Sequence, residues 1–161
     1  MDAGGANISN ETAGVYTATM TWTLGDDFVA TLVKTGDVPL TDYSDYEVGL
    51  IGDGVWAEAD TAWGWGSTYD KVLPAVDGTN YSWSWDNVEV HNSGSFKIRQ
   101  GDDWNGLNLG FGNVTMAGTS AGDFSDADGN IKVAADGFFN MVLSVDADGG
   151  DFILTVDPVV K

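Results

Sequence analysis

Apolar residues recur at every second position in short runs along this chain, and clusters of glycine and aspartate separate the runs. A period of two sends alternate side chains to opposite faces of an extended backbone, so each run predicts a β-strand with one buried face. The pattern predicts strands near 46–51, 80–85, 87–91, 95–100, 131–133, 138–145 and 151–157. No helical period intervenes, and short strands at close spacing predict an all-β fold, an antiparallel β-sandwich. In Tyr81-Ser-Trp-Ser-Trp85 the three aromatics share one face, which predicts that Tyr81, Trp83 and Trp85 are core. Residues 52–79, rich in Gly, Ala, Asp and Trp, read as a long loop, and 110–129 as a second glycine-rich, acidic connection.

The hydrophobic pattern also repeats. Asn7-Ile8, Gly14-Val-Tyr16, an alternating run through Trp22 and Gly25-Asp-Asp-Phe28 recur about 123 residues later. The second copy is Asn130-Ile131, Gly137-Phe-Phe139, a run through Val145, and Gly150-Asp-Phe152, with one residue inserted in its hairpin loop. Both copies read as β-hairpins. The expected organisation is a hairpin over 1–37 that ends a preceding repeat unit, a linker over 38–43, and a complete β-sandwich over 44–161. A lone pair of strands is marginally stable, so the hairpin is expected to pair with the main unit or with a neighbouring chain.

Charge narrows the partners. The 161 residues carry a formal net charge of -19 with only 6 basic residues. That balance argues against nucleic acid, anionic membrane surfaces and strongly acidic polysaccharides, all of which need a cationic face. No apolar run approaches the 18 or so residues of a membrane span. There are no cysteines, hence no disulfide and no thiolate metal site. Met1-Asp-Ala-Gly-Gly5 lacks a basic start followed by an apolar run, so an exported parent protein would carry its targeting segment elsewhere.

Against this acidic background, Ser95–Asn108 stands out. Lys97 and the single arginine, Arg99, share the strand face opposite Phe96 and Ile98, and an Asp-Asp-Trp-Asn turn follows. Two cations, Trp104 and the amides of Asn105 and Asn108 form a set suited to sugar hydroxyls; the plainer reading is that the cations offset nearby carboxylates. Trp63-Gly-Trp-Gly66 offers two indoles beside glycines, so a ligand can approach closely. The indoles either stack on a sugar ring or plug the end of the sandwich. Trp104 reads either as a second platform or as a wedge fixing its turn.

Catalysis is not expected. Only four residues are Glu, and no carboxyl is singled out for glycosidase chemistry. His91 is the lone histidine, with no second one for a metal site or evident triad. A calcium site on Asp126, Asp128 and the Asn130 carbonyl fails the EF-hand frame and reads first as an acidic, solvated turn. No cofactor is expected.

Several of these segments together resemble a known family. Tyr46-Glu-Val-Gly-Leu-Ile-Gly-Asp53, a Trp-Gly segment, Tyr81-Ser-Trp-Ser-Trp85, Phe96-Lys-Ile-Arg99 with Asp102-Asp-Trp104, Leu107-Asn-Leu-Gly110, Asn130-Ile-Lys-Val133 and Gly137-Phe-Phe139 are similar to SusE/SusF-like domains. These are starch-binding modules of outer-membrane surface lipoproteins in Bacteroidetes. The resemblance spans about residues 44–159 and implies an immunoglobulin-like sandwich of the carbohydrate-binding-module type. It also implies non-catalytic binding of a neutral polysaccharide, a starch-like α-glucan by default, at the cell surface, beside neighbouring modules of a larger protein. Carried over residue by residue, the platform falls on Trp63 and Trp65, and the polar contacts fall on Lys97, Arg99 and Asn105. The family's usual Gly-Trp-Asp after the first strand is replaced here by Trp63-Gly-Trp-Gly66. The alternatives are a spacer module without ligand, or an accessory domain of a larger glycoside hydrolase.

Overall fold

The computed structural model describes residues 14–25, 28–37, 40–57, 61–146 and 150–160. The chain divides into two compact units, Met1–Leu40 and Thr41–Lys161. In the first, β1 (Val15–Thr21) and β2 (Val29–Gly36) pair antiparallel, and Trp22 stacks on Phe28 with ring centroids 5.8 Å apart. The Asn7-Ile8 portion of the repeat lies outside the described residues.

The second unit is all-β. Its strands are β3 (Val48–Ala57), β4 (Thr61–Val72), β5 (Ala75–Asp77), β6 (Asn80–Val90), β7 (Lys97–Gln100), β8 (Asn108–Leu109), β9 (Val114–Ala117), β10 (Phe124–Ala127), β11 (Asn130–Val133), β12 (Gly137–Asp146) and β13 (Phe152–Pro158). Pairing is antiparallel apart from the parallel β9–β13 ladder.

Strand β3 belongs to both layers of the sandwich. Val48–Ile51 pair with β7, whereas Val55 and Trp56 pair with β6. One layer therefore holds β5, β6, β12, β13 and β9, and the other β4, β3, β7 and β8. Gly52 sits at the switch with φ +144°, and a methyl group there would strike the Ser95 and Phe96 backbone. Between the layers, Trp83, Trp85, Met141 and Leu143 meet Val48, Leu50, Phe96 and Ile98 in one buried cluster. The Trp83 and Trp85 indole N–H groups donate to the carbonyls of Tyr46 and Asp70, each at 2.8 Å, so these deep rings leave no orphan donor.

Three expectations need correction. The predicted strands 80–85 and 87–91 are one strand, β6. From Phe139↔Val88 to Met141↔Trp85, two steps along β12 face three along β6. The extra residue is a bulge at Asn87 (φ 56°), whose N–H donates to Asn140 Oδ1 at 2.9 Å. The bulge shifts the buried positions from odd to even numbers, which in sequence looks like a strand end.

Segment 52–79 is not a loop: β3 runs on to Ala57 and β4 fills 61–72. Of the 12 residues of β4 only Thr68 is buried, so the strand is held by its ladder to β3 and leaves no apolar alternation to read. Residues 110–129, expected to be a connection, contain β9, β10 and two single-turn 3-10 segments, Phe111–Asn113 and Ala121–Asp123. The candidate calcium segment forms the β10–β11 turn, where the Asp126 carboxylate accepts the Gly129 N–H at 2.7 Å.

Candidate ligand-binding face

The site starts from an irregularity in the β3–β4 ladder. Between Gly52↔Gly64 and Leu50↔Tyr69, two steps along β3 face five along β4. The surplus residues cannot pair, so the chain from Trp65 to Thr68 bows out of the ladder. Gly64, at φ +91°, starts the excursion. Trp63 closes it: its indole N–H donates to the Ser67 carbonyl at 2.6 Å, and its ring lies 5.0 Å from that of Tyr69.

The excursion folds over the outer face of β3 and β7. Gly49 makes room for it, since a methyl group there would collide with Thr68 and the Tyr69 carbonyl. Arg99, paired with Gly49 in the ladder, is covered as a result and is only 1% exposed. Its Nε donates to Thr68 Oγ1 at 2.7 Å. Thr68 Oγ1 in turn donates to the Gly101 carbonyl, and the Thr68 N–H donates to Asp102 Oδ1 at 2.8 Å. Lys71 Nζ reaches Asp102 Oδ2 at 2.5 Å, and Arg99 Nη2 lies 3.5 Å from Asp102 Oδ1. The Lys71 ammonium and the Thr68 N–H together hold the Asp102 carboxyl down at a pKa of about 2.

The Arg99 guanidinium carbon lies 4.4 Å from the centroid of the Trp104 ring. Trp104 is 46% exposed and Trp65 37%; their centroids are 6.5 Å apart with 26° between the planes. The turn carrying Trp104 is closed by Asp103, whose Oδ1 accepts both the Asn105 N–H at 3.0 Å and Asn105 Nδ2 at 2.8 Å. Arg99 Nη2 and Asn108 Oδ1, on cross-strand partners, are buried without a hydrogen bond among the described residues. Such atoms are costly unless a water or ligand atom reaches them.

The residues expected at the site therefore separate. Trp65, Trp104 and Arg99 come together, with Trp63 fixing the excursion that carries Trp65. Asn105 is exposed but commits a donor to its own turn. Arg99, expected to donate directly to sugar hydroxyls, is buried and braces Trp104 instead. Lys97 shares the outer face of β7, but its Cε lies beside Gly110, and it forms no ion pair among the described residues. Thr68, Lys71 and Asp102 were not foreseen, because their roles depend on the bulge.

Two other features differ in kind. His91 stacks on Trp56 at 3.8 Å between the carboxylates of Glu89 and Asp136, clamping the ends of β3 and β6 to the start of β12. A cleft of about 600 Å³ lies on the outer face of the β5–β6–β12–β13–β9 layer; Asp77, Asp146 and Asp151 line it, and no indole does. Comparison with protein-family models, with curated proteins and with solved structures finds no match to this chain.

Proposed function

We propose that the Trp65–Trp104 face binds a neutral polysaccharide without catalysis. The observation that carries this reading is the pair of half-exposed, nearly parallel indoles, 6.5 Å apart, with the buried Arg99 guanidinium against the Trp104 ring. Indole faces stack on the C–H faces of pyranose rings, and two of them at a set spacing suit consecutive sugars of a chain. The exposed Asn105 side-chain carbonyl, next to Trp104, is the polar group placed to meet sugar hydroxyls. The resemblance to SusE/SusF-like domains extends this reading to a starch-like α-glucan, bound at an outer-membrane surface by a non-enzymatic module.

Affinity electrophoresis through gels containing amylopectin, xylan or β-glucan tests it. Retardation by at least one neutral glycan, abolished by Trp65→Ala or Trp104→Ala with the fold intact, is the expected result. A spacer module would migrate alike in every gel.

A further inference from the structure

The two hairpins of this chain share one register. The pairs Tyr16↔Lys34 through Thr21↔Val29 of β1–β2 correspond one by one to Phe139↔Pro158 through Ser144↔Ile153 of β12–β13. An offset of 123 residues superposes the first strands and 124 the second strands throughout.

Burial is where the hairpins differ. Met141, Leu143, Leu154 and Val156, on the inner face of β12–β13, are all 0% exposed. Their counterparts are Ala18, Met20, Ala30 and Leu32, and of these Met20 is 73% and Leu32 40% exposed. Together with Trp22 and Phe28 they form one apolar face of the β1–β2 hairpin.

The equivalent face of β12–β13 shows what kind of cover fits. It is sealed by β6 along one edge, β9 along the other and the β3–β7 layer opposite, all from within residues 46–133. This particular set does not fit β1–β2. Ala18 in place of Met141 and Ala30 in place of Leu154 would leave two cavities in its core. A second copy of this chain, exchanging hairpins, would meet the same mismatch.

We propose that β1–β2 closes a second sandwich, and that its apolar face docks on a strand set of the 46–133 type in a preceding module of the same polypeptide. That set carries bulkier residues opposite Ala18 and Ala30.

Amide hydrogen exchange on the 161-residue chain and on the natural full-length polypeptide tests this. In the 161-residue chain, amides of 16–34 should exchange at least about 100-fold faster than those of 140–156, with the protein monomeric at every concentration. In the full-length polypeptide the two sets should be protected alike. There, Leu32→Asp should abolish one melting transition and leave that of the 41–161 unit in place. The proposal is overturned if no such strand set precedes the hairpin, or if 16–34 stay unprotected in the full-length polypeptide. It also falls if a dimer of the 161-residue chain protects them.

Discussion

Arg99 illustrates how burial redirects a side chain. On an open strand face a guanidinium donates to ligands; under the β4 excursion it spends Nε on Thr68 and its flat face on Trp104. Its loss therefore acts first on stability. Arg99→Ala should lower the unfolding free energy by about 1.5 to 3 kcal/mol, the range for hydrogen bonds to charged groups, and urea melts would read this directly. Trp104→Ala should cost about 1 to 2 kcal/mol of stability, because the cation of this cation–π contact is buried while the ring is half-exposed. On the proposed reading it should also weaken glycan binding by about 1 to 3 kcal/mol by calorimetry, because it removes one of the two indoles. Equal stability of Arg99→Ala and the wild type would refute the bracing role.

Asp102 adds a pH dependence at the same scale. Its folded pKa of about 2 lies below the roughly 3.9 of an unfolded aspartate, so the folded state prefers the ionised form. The stabilisation is complete above pH 4 or so and is lost as the pH falls through about 2. Urea midpoints measured from pH 5 down to 2 should decline, and less steeply in Asp102→Asn.

At the scale of elements, two bulges govern what the sequence disclosed. The β6 bulge depends on Asn140, which holds the displaced Asn87 N–H. Asn140→Ala should cost about 0.5 to 1.5 kcal/mol, with β6–β12 amides exchanging faster near residue 87. The core strands were legible because Tyr81, Trp83 and Trp85, or Met141 and Leu143, alternate against a single apolar interior. The bulges were not, since an extra residue looks like a strand end until the partner strand is known. Strand β4 was hidden for a different reason. Its stability comes from backbone pairing to β3, which leaves no trace in side-chain hydrophobicity. Trp65 and Trp104 were each visible as candidates, yet their proximity arises only when the β4 excursion folds across β7.

For the molecule as a whole, charge sets the conditions of binding. A surface of net charge -19 repels polyanions beyond direct contact, whereas a neutral glycan feels no such field and releases no counterions. Affinity for a neutral glucan should change less than about twofold between roughly 50 and 500 mM salt, measured by calorimetry. Steeply salt-dependent binding to alginate or a sulfated glycan would contradict the assignment. On the proposed reading the acidic surface selects by exclusion, and the indole pair by contact.

The β4 excursion also separates what must stay constant from what can vary. Among the described residues strand β4 pairs with β3 alone, and Trp65, Gly66 and Ser67 are exposed. Closing a slightly longer excursion costs only a few tenths of a kcal/mol, because the entropy of closure grows with the logarithm of length. Inserting a residue beside Gly66 would therefore move one indole relative to the other while the sandwich beneath stayed as it is. The spacing of the two indoles is in that sense an adjustable gauge mounted on a fixed frame, and on the proposed reading it is what would be tuned toward glycans of different repeat.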